Sequence, residues 1–86
     1  MTYTVSWSAK ALAKLADIWT AAADRHAVTE AADRIDAALR LSPNEVGESR
    51  EDARRIHFDR PLAIYFKISD PDRTVLVLAV WTRSTS

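Results

Sequence analysis

The sequence has 86 residues, with twelve basic against twelve acidic, no cysteine and two histidines. That describes one small domain, residues 1–86, and excludes a disulfide framework or a thiolate metal cluster. Such a chain buries roughly 60–65% of its unfolded surface, and its balanced charge argues against strong non-specific attraction to nucleic acid. His26 and His57 are too far apart to suggest a zinc site, so no metal or other cofactor is expected. The start, MTYTVSWSAK, lacks the basic-then-apolar order of a signal peptide. No apolar run approaches the ~20 residues of a membrane span, and the expected setting is cytoplasmic.

Tyr3–Trp7 alternates, with Tyr3, Val5 and Trp7 on one face, which predicts a half-buried strand. Ser8 is placed to cap a helix from Lys10 to about Asp24. There Leu12, Leu15, Ile18, Trp19 and Ala22 form the apolar stripe and Lys10, Lys14 and Asp17 face elsewhere. After a break at Arg25–Val28, Thr29 is expected to cap a second helix. Its stripe is Ala31, Ala32, Ile35, Ala38 and Leu39, opposite Glu30, Asp33, Arg34 and Asp36. So short a connection predicts an antiparallel helical hairpin.

Ser42–Asp52 holds a proline and the only glycine and reads as a loop. The period then returns to two, in Arg54–Asp59 and in Leu62–Ser69. Arg60-Pro61 and Asp70–Arg73 are the intervening turns. Thr74–Thr82 is apolar on both faces and predicts a strand in the sheet interior. The fold class is α+β: order β-α-α-β-β-β, an antiparallel sheet with a helical hairpin packed on one face.

That architecture leaves the other face of the sheet free. If Ile56, Phe58, Leu62, Ile64, Phe66 and Ile68 point to the helices, then Arg55, His57, Asp59, Tyr65 and Lys67 share the open face. Arg60 and Arg83 stand close enough in sequence to join them. Cations around an aromatic ring suit a phosphate backbone with a stacked base. A solvated sheet face with self-neutralising cross-strand pairs, such as Asp59 with Lys67, accounts for the same residues. His57 is the histidine placed for acid–base work; His26, near a helix end, is placed to complement the helix dipole. Trp7, Trp19 and Trp81 fit packing positions.

Three segments, VSWSAKALAKLADI, ARRIHFDRPLAIYFKI and DPDRTVLVLAVWTRS, together resemble the RelE/ParE superfamily of type II toxin–antitoxin toxins over nearly the whole chain. The resemblance implies a growth-inhibiting toxin and two possible mechanisms. RelE-like members cut mRNA on the ribosome, using arginines at the start of the third strand and the end of the fourth and a tyrosine or histidine in the tail. Here Ala63 stands at the first of these positions, Arg60 is displaced into the turn, Arg83 matches the second, and Ser84-Thr85-Ser86 offers no acid or base. A nuclease would need a rearranged site of Arg55, His57, Arg60, Lys67 and Arg83, with His57 and Tyr65 substituting for the missing residues.

ParE-like members lack that set and poison DNA gyrase, and the missing residues favour this alternative. Catalytic candidates are therefore Arg60, Arg83 and His57, and RNA- or target-binding candidates are Arg55, Tyr65 and Lys67. A small interaction domain without toxicity is the third reading. The resemblance also implies a cognate antitoxin wrapped on the exposed apolar residues of the hairpin and on a sheet edge. Gyrase, or the ribosome with its mRNA, is the implied target, and no membrane is involved.

Overall fold

A computed structural model describes residues 2–82. Strand β1 (Thr4–Trp7) leads through Ser8 into helix α1 (Ala9–Ala21), and helix α2 (Arg25–Leu41) returns. A 3-10 turn (Pro43–Glu45) and a two-residue strand β2 (Glu48–Ser49) follow. The chain then runs as a meander of β3 (Arg54–Asp59), β4 (Leu62–Ser69) and β5 (Thr74–Thr82). The five strands form one sheet in the order β1-β5-β4-β3-β2.

Local chemistry sets the helix ends. The Ser8 hydroxyl accepts from the Ala11 amide at 3.0 Å and donates to the Leu78 carbonyl at 3.3 Å, so the cap of α1 also pins it to β5. Asp24, not Thr29, caps α2: its carboxylate accepts from the Ala27 amide at 3.0 Å. The predicted break at Arg25–Val28 is therefore the first turn of α2, and the connection shrinks to Ala22–Asp24. Arg25 reaches back to donate to the carbonyls of Trp19 (3.2 Å) and Thr20 (3.0 Å), satisfying the orphan acceptors at the end of α1.

Both helices cover one side of the sheet. Ala11 and Ile18 from α1 and Val28, Ala31, Ile35 and Leu39 from α2 meet Leu62, Ile64, Phe66 and Ile68 of β4 and Val75, Val77 and Val80 of β5. Burial of each large side chain contributes about 1.5–3 kcal/mol, and this cluster is the main source of stability. At the sheet's end, the Tyr3 hydroxyl donates to Asp70 at 2.7 Å and Asn44 bridges both, which ties the first strand to the β4–β5 turn. On the other flank Arg34 grips both oxygens of Asp59, at 2.8 Å in its shortest contact, and fastens α2 to β3.

Three features differ from the sequence reading. First, β1 pairs with β5 in parallel, through Thr4↔Thr74 to Trp7↔Val77, so the sheet is mixed and not wholly antiparallel. Second, the expected loop contains β2, held by Glu48↔Ile56 and Ser49↔Arg55. Gly47 makes that approach possible: its φ is +69°, and a Cβ there would run into the Ile56 carbonyl and His57 Cβ. Third, the faces of β3 are reversed. Directly paired residues share a face, and the pairs are Arg55↔Phe66, His57↔Ile64 and Asp59↔Leu62. Arg55, His57 and Asp59 therefore lie on the helix side. Arg54, Ile56 and Phe58 share the open face with Lys67, Tyr65 and Ala63.

Strand β5 carries a bulge. Phe66 pairs with Val77 and Tyr65 with Ala79, so Leu78 has no opposite number. The extra residue keeps Val75, Val77 and Val80 on the helix side and turns Leu76, Ala79 and Trp81 to the open face.

Candidate functional site

The reversal of β3 divides the candidate residues between two sides of the molecule. Tyr65 and Lys67 stand on the open face as expected, and Arg54 and Trp81, which were not expected, stand with them. Arg55 is on the other side and is engaged there. Its Nε donates to the Val46 carbonyl at 2.8 Å and its terminal nitrogen to the Gly47 carbonyl at 2.9 Å, which clamps the loop before β2. Arg60 is exposed in the β3–β4 turn, beside a cleft that runs under α1. Arg83 lies outside the described residues. Sequence periodicity could not have found Arg54, because it shares a parity with Ile56 and Phe58, which alternation assigns to a core.

His57 is half-buried on the helix side. Burial pushes its imidazole below the ordinary 6.5, and the Asp59 carboxylate opposes that only partly. Because the folded value is depressed, the unfolded chain binds a proton that the folded chain refuses between that value and 6.5. Stability is then full above 6.5 and falls as the pH drops through this window. The urea midpoint of the wild type is expected to fall from pH 7 to pH 5 more than that of His57→Gln. Parallel curves for the two proteins would show that His57 is not the group responsible.

The open face combines two chemistries. Arg54 and Lys67 are directly opposed across the β3–β4 ladder, a like-charge arrangement that is locally unfavourable. The Arg54 guanidinium carbon is 5.9 Å from the Tyr65 ring centroid, and its Nε is buried without a hydrogen-bond partner among the described residues. Around these cations Phe58, Leu76 and Trp81 form an apolar surface, with Leu76 and Phe58 about two-fifths exposed. Glu48, opposite Ile56, is an acidic residue on the same face. The arrangement fits an anionic group held beside an apolar contact.

A second surface lies on the outside of the hairpin. Leu12 and Trp19 are 52% and 43% exposed and line a groove of about 430 Å³ with Leu15, Val28 and Ala32. Trp19 is held in place: its Nε1 donates to Thr29 Oγ1 at 3.2 Å and Arg25 lies over its ring at 4.8 Å. A fixed indole beside an open apolar trough has the shape and chemistry that an amphipathic helix can fill. Among the described residues no group of three metal-ligating side chains occurs and no helix is long and apolar enough to cross a membrane.

The family model of the ParE toxin of the type II toxin–antitoxin system, parDE, matches residues 5–86. The chain belongs to the ParE toxin family. Solved structures carry the same fold at low identity. A chain of the RelBE2 toxin–antitoxin complex of Mycobacterium tuberculosis aligns with a TM-score of 0.78 at 21% identity, over 96% of this chain and 100% of that one. A chain of the chromosomal ParDE system of P. aeruginosa gives 0.72 at 16%, over 95% and 97%. The intact E. coli RelBE complex gives 0.55 at 15%, over 95% and 98%. Among curated proteins none matches significantly. Two helices on a five-stranded mixed sheet are thus the RelE/ParE fold, and the resemblance to RelE/ParE toxins read from the sequence stands.

Proposed function

We propose that this ParE-family toxin acts in the cytoplasm by seizing a protein target of the DNA gyrase kind, and that it does not cut RNA. The observation that carries this reading is the division of the candidate nuclease set by the sheet. His57 and Arg55 lie on the helix side, the second of them clamped to backbone carbonyls, while Tyr65 and Lys67 lie on the other. A general acid and the cations that stabilise a phosphorane must reach one scissile bond together. The open face, apolar with an Arg54–Lys67 centre, suits a protein surface that offers a carboxylate beside apolar side chains.

One observation favours the ribosomal alternative: Arg54 and Lys67 flank Tyr65, a grouping that can hold a phosphate and stack a base. Induced expression with parallel readouts separates the two. Loss of plasmid supercoiling without cleavage of ribosome-bound mRNA is expected, together with loss of toxicity in Arg54→Glu/Lys67→Glu. Prompt mRNA cleavage with normal supercoiling would overturn the reading, and full growth on expression of the wild type would point to a non-toxic interaction domain.

The neutralising partner is a cognate antitoxin, in keeping with solved relatives that are toxin–antitoxin complexes. Its amphipathic helix takes the Leu12–Trp19 groove of the hairpin, leaving the open sheet face for the target.

A further inference from the structure

The centre of the open face is held in an unfavourable state. Arg54 and Lys67 are direct partners across the β3–β4 ladder, where opposite charges stabilise and like charges do not. Lys67 is exposed, so no demand of packing puts a cation there. Among the described residues neither side chain makes an ion pair. Arg54 rests 5.9 Å from the Tyr65 centroid, at the outer limit of a cation–π contact. Its Nε is buried there without a hydrogen-bond partner among the described residues, and a buried donor in that state costs stability. One compact oxyanion set between the two cations would lift the repulsion. A guanidinium that swings from Tyr65 toward such an anion also carries Nε out of its unpartnered position.

The surroundings fit a single negative charge and not a string of them. Arg50 follows in the ladder, its amide donating to the Arg54 carbonyl at 2.7 Å, but its terminal nitrogen is taken by the Ser49 carbonyl at 3.0 Å. Glu48, opposite Ile56, adds a negative charge to the same face. A nucleic-acid strand needs a continuous positive groove, and this face interrupts one. Leu76 stands on the other side of Lys67 as its partner in β5. Phe58 and the Ala63–Trp81 pair lie four residues along the strands, roughly 13 Å away. A second copy laid face to face about a two-fold axis would oppose cation to cation.

We infer that Arg54 and Lys67 form a seat for one carboxylate side chain of the protein target, which offers a large apolar side chain to Phe58 and Trp81 roughly 13 Å away. The inference rests on the protein-target reading above and names the group and the spacing by which that target is recognised. Arg54 supplies the planar fork that matches a carboxylate, and Lys67 adds a point charge beside it. Stability and binding therefore pull in opposite directions at this pair. A purely structural pair would show the reverse, losing stability when either member is removed.

Two measurements on the purified toxin test this. Lys67→Thr is expected to raise the thermal midpoint by about 2–5 °C, and yet to weaken binding to purified DNA gyrase about tenfold. Arg54→Lys, which keeps the charge and loses the fork, is expected to weaken that binding by about threefold or more. In the free toxin, acetate and inorganic phosphate, each compared with chloride at equal ionic strength, should shift the Arg54 Nε–H resonance of the wild type but not of Lys67→Thr. A lower midpoint in Lys67→Thr with an Arg54 resonance indifferent to both anions makes the pair structural and overturns the inference; gyrase binding at wild-type strength in that variant leaves the target reading standing. A contribution of Arg54 and Lys67 seen only when gyrase holds DNA assigns the seat to a phosphate and overturns the carboxylate. The anion response and the higher midpoint without any binding to gyrase support the seat and overturn gyrase as the protein that fills it.

Discussion

A Leu12→Ala/Trp19→Ala toxin is expected to remain folded and toxic but to escape its antitoxin. Both side chains are about half exposed in the free protein, so their truncation opens no cavity in the core. Alanine is the best helix former, so α1 itself does not suffer. Their weight falls on association, where a buried tryptophan anchor commonly contributes about 2–4 kcal/mol. That corresponds to roughly 30- to 1000-fold in affinity from the indole alone. Calorimetry gives the change in affinity, and arrested growth of cells producing both proteins reports the escape. Undiminished neutralisation at wild-type affinity would remove the hairpin groove as the antitoxin's seat.

Phe66→Ala should be the most damaging single truncation in the sheet. Phe66 is fully buried in the middle strand, between Arg55 of β3 and Val77 of β5 and beneath the helices. Losing its ring costs about 3–5 kcal/mol through lost transfer energy and the cavity left behind. A chain of this length has on the order of 4–13 kcal/mol in total. The midpoint of thermal unfolding is expected to drop by roughly 12–40 °C, with part of the protein unfolded at growth temperature. Leu76→Ala, one strand over but 39% exposed, is the matched control and should stay within about 1 kcal/mol. A loss below that figure in Phe66→Ala would mean that the core has been misplaced.

The outcome for each element shows what a sequence pattern carries. Strands β4 and β5 were legible to the residue, because Leu62–Ser69 and Thr74–Thr82 are bounded by turn chemistry and buried on the helix side. The helix boundary near Asp24 was displaced, since Thr29 and Asp24 are both competent caps and only the short connector decides between them. β2 was invisible: two exposed residues have no period. β3 is the instructive failure, for its period of two was correct and its phase was not. Alternation reveals that one parity is apolar but not which side the helices cover. Here α2 reaches this margin through the Arg34–Asp59 pair, and the apolar parity, Ile56 and Phe58, instead joins Ala63 and Trp81 on the open face. That one inversion moved Arg55 and His57 away from Tyr65 and Lys67, and so changed the site more than the fold.

The unpaired Leu78 has a bearing on how this strand can evolve. A single spare residue acts like a leap day: everything before it keeps one calendar and everything after it keeps another. Deleting Leu78 would restore plain alternation and leave Ala79, Val80 and Trp81 on their present sides, whereas pairing Leu78 in regular register would send Trp81 under the helices and turn Val80 out to solvent. Loss of this one residue is therefore tolerable, and its presence is tolerable only as a bulge. Holding one surplus amino acid outside the ladder decides which side of the protein the end of β5 addresses.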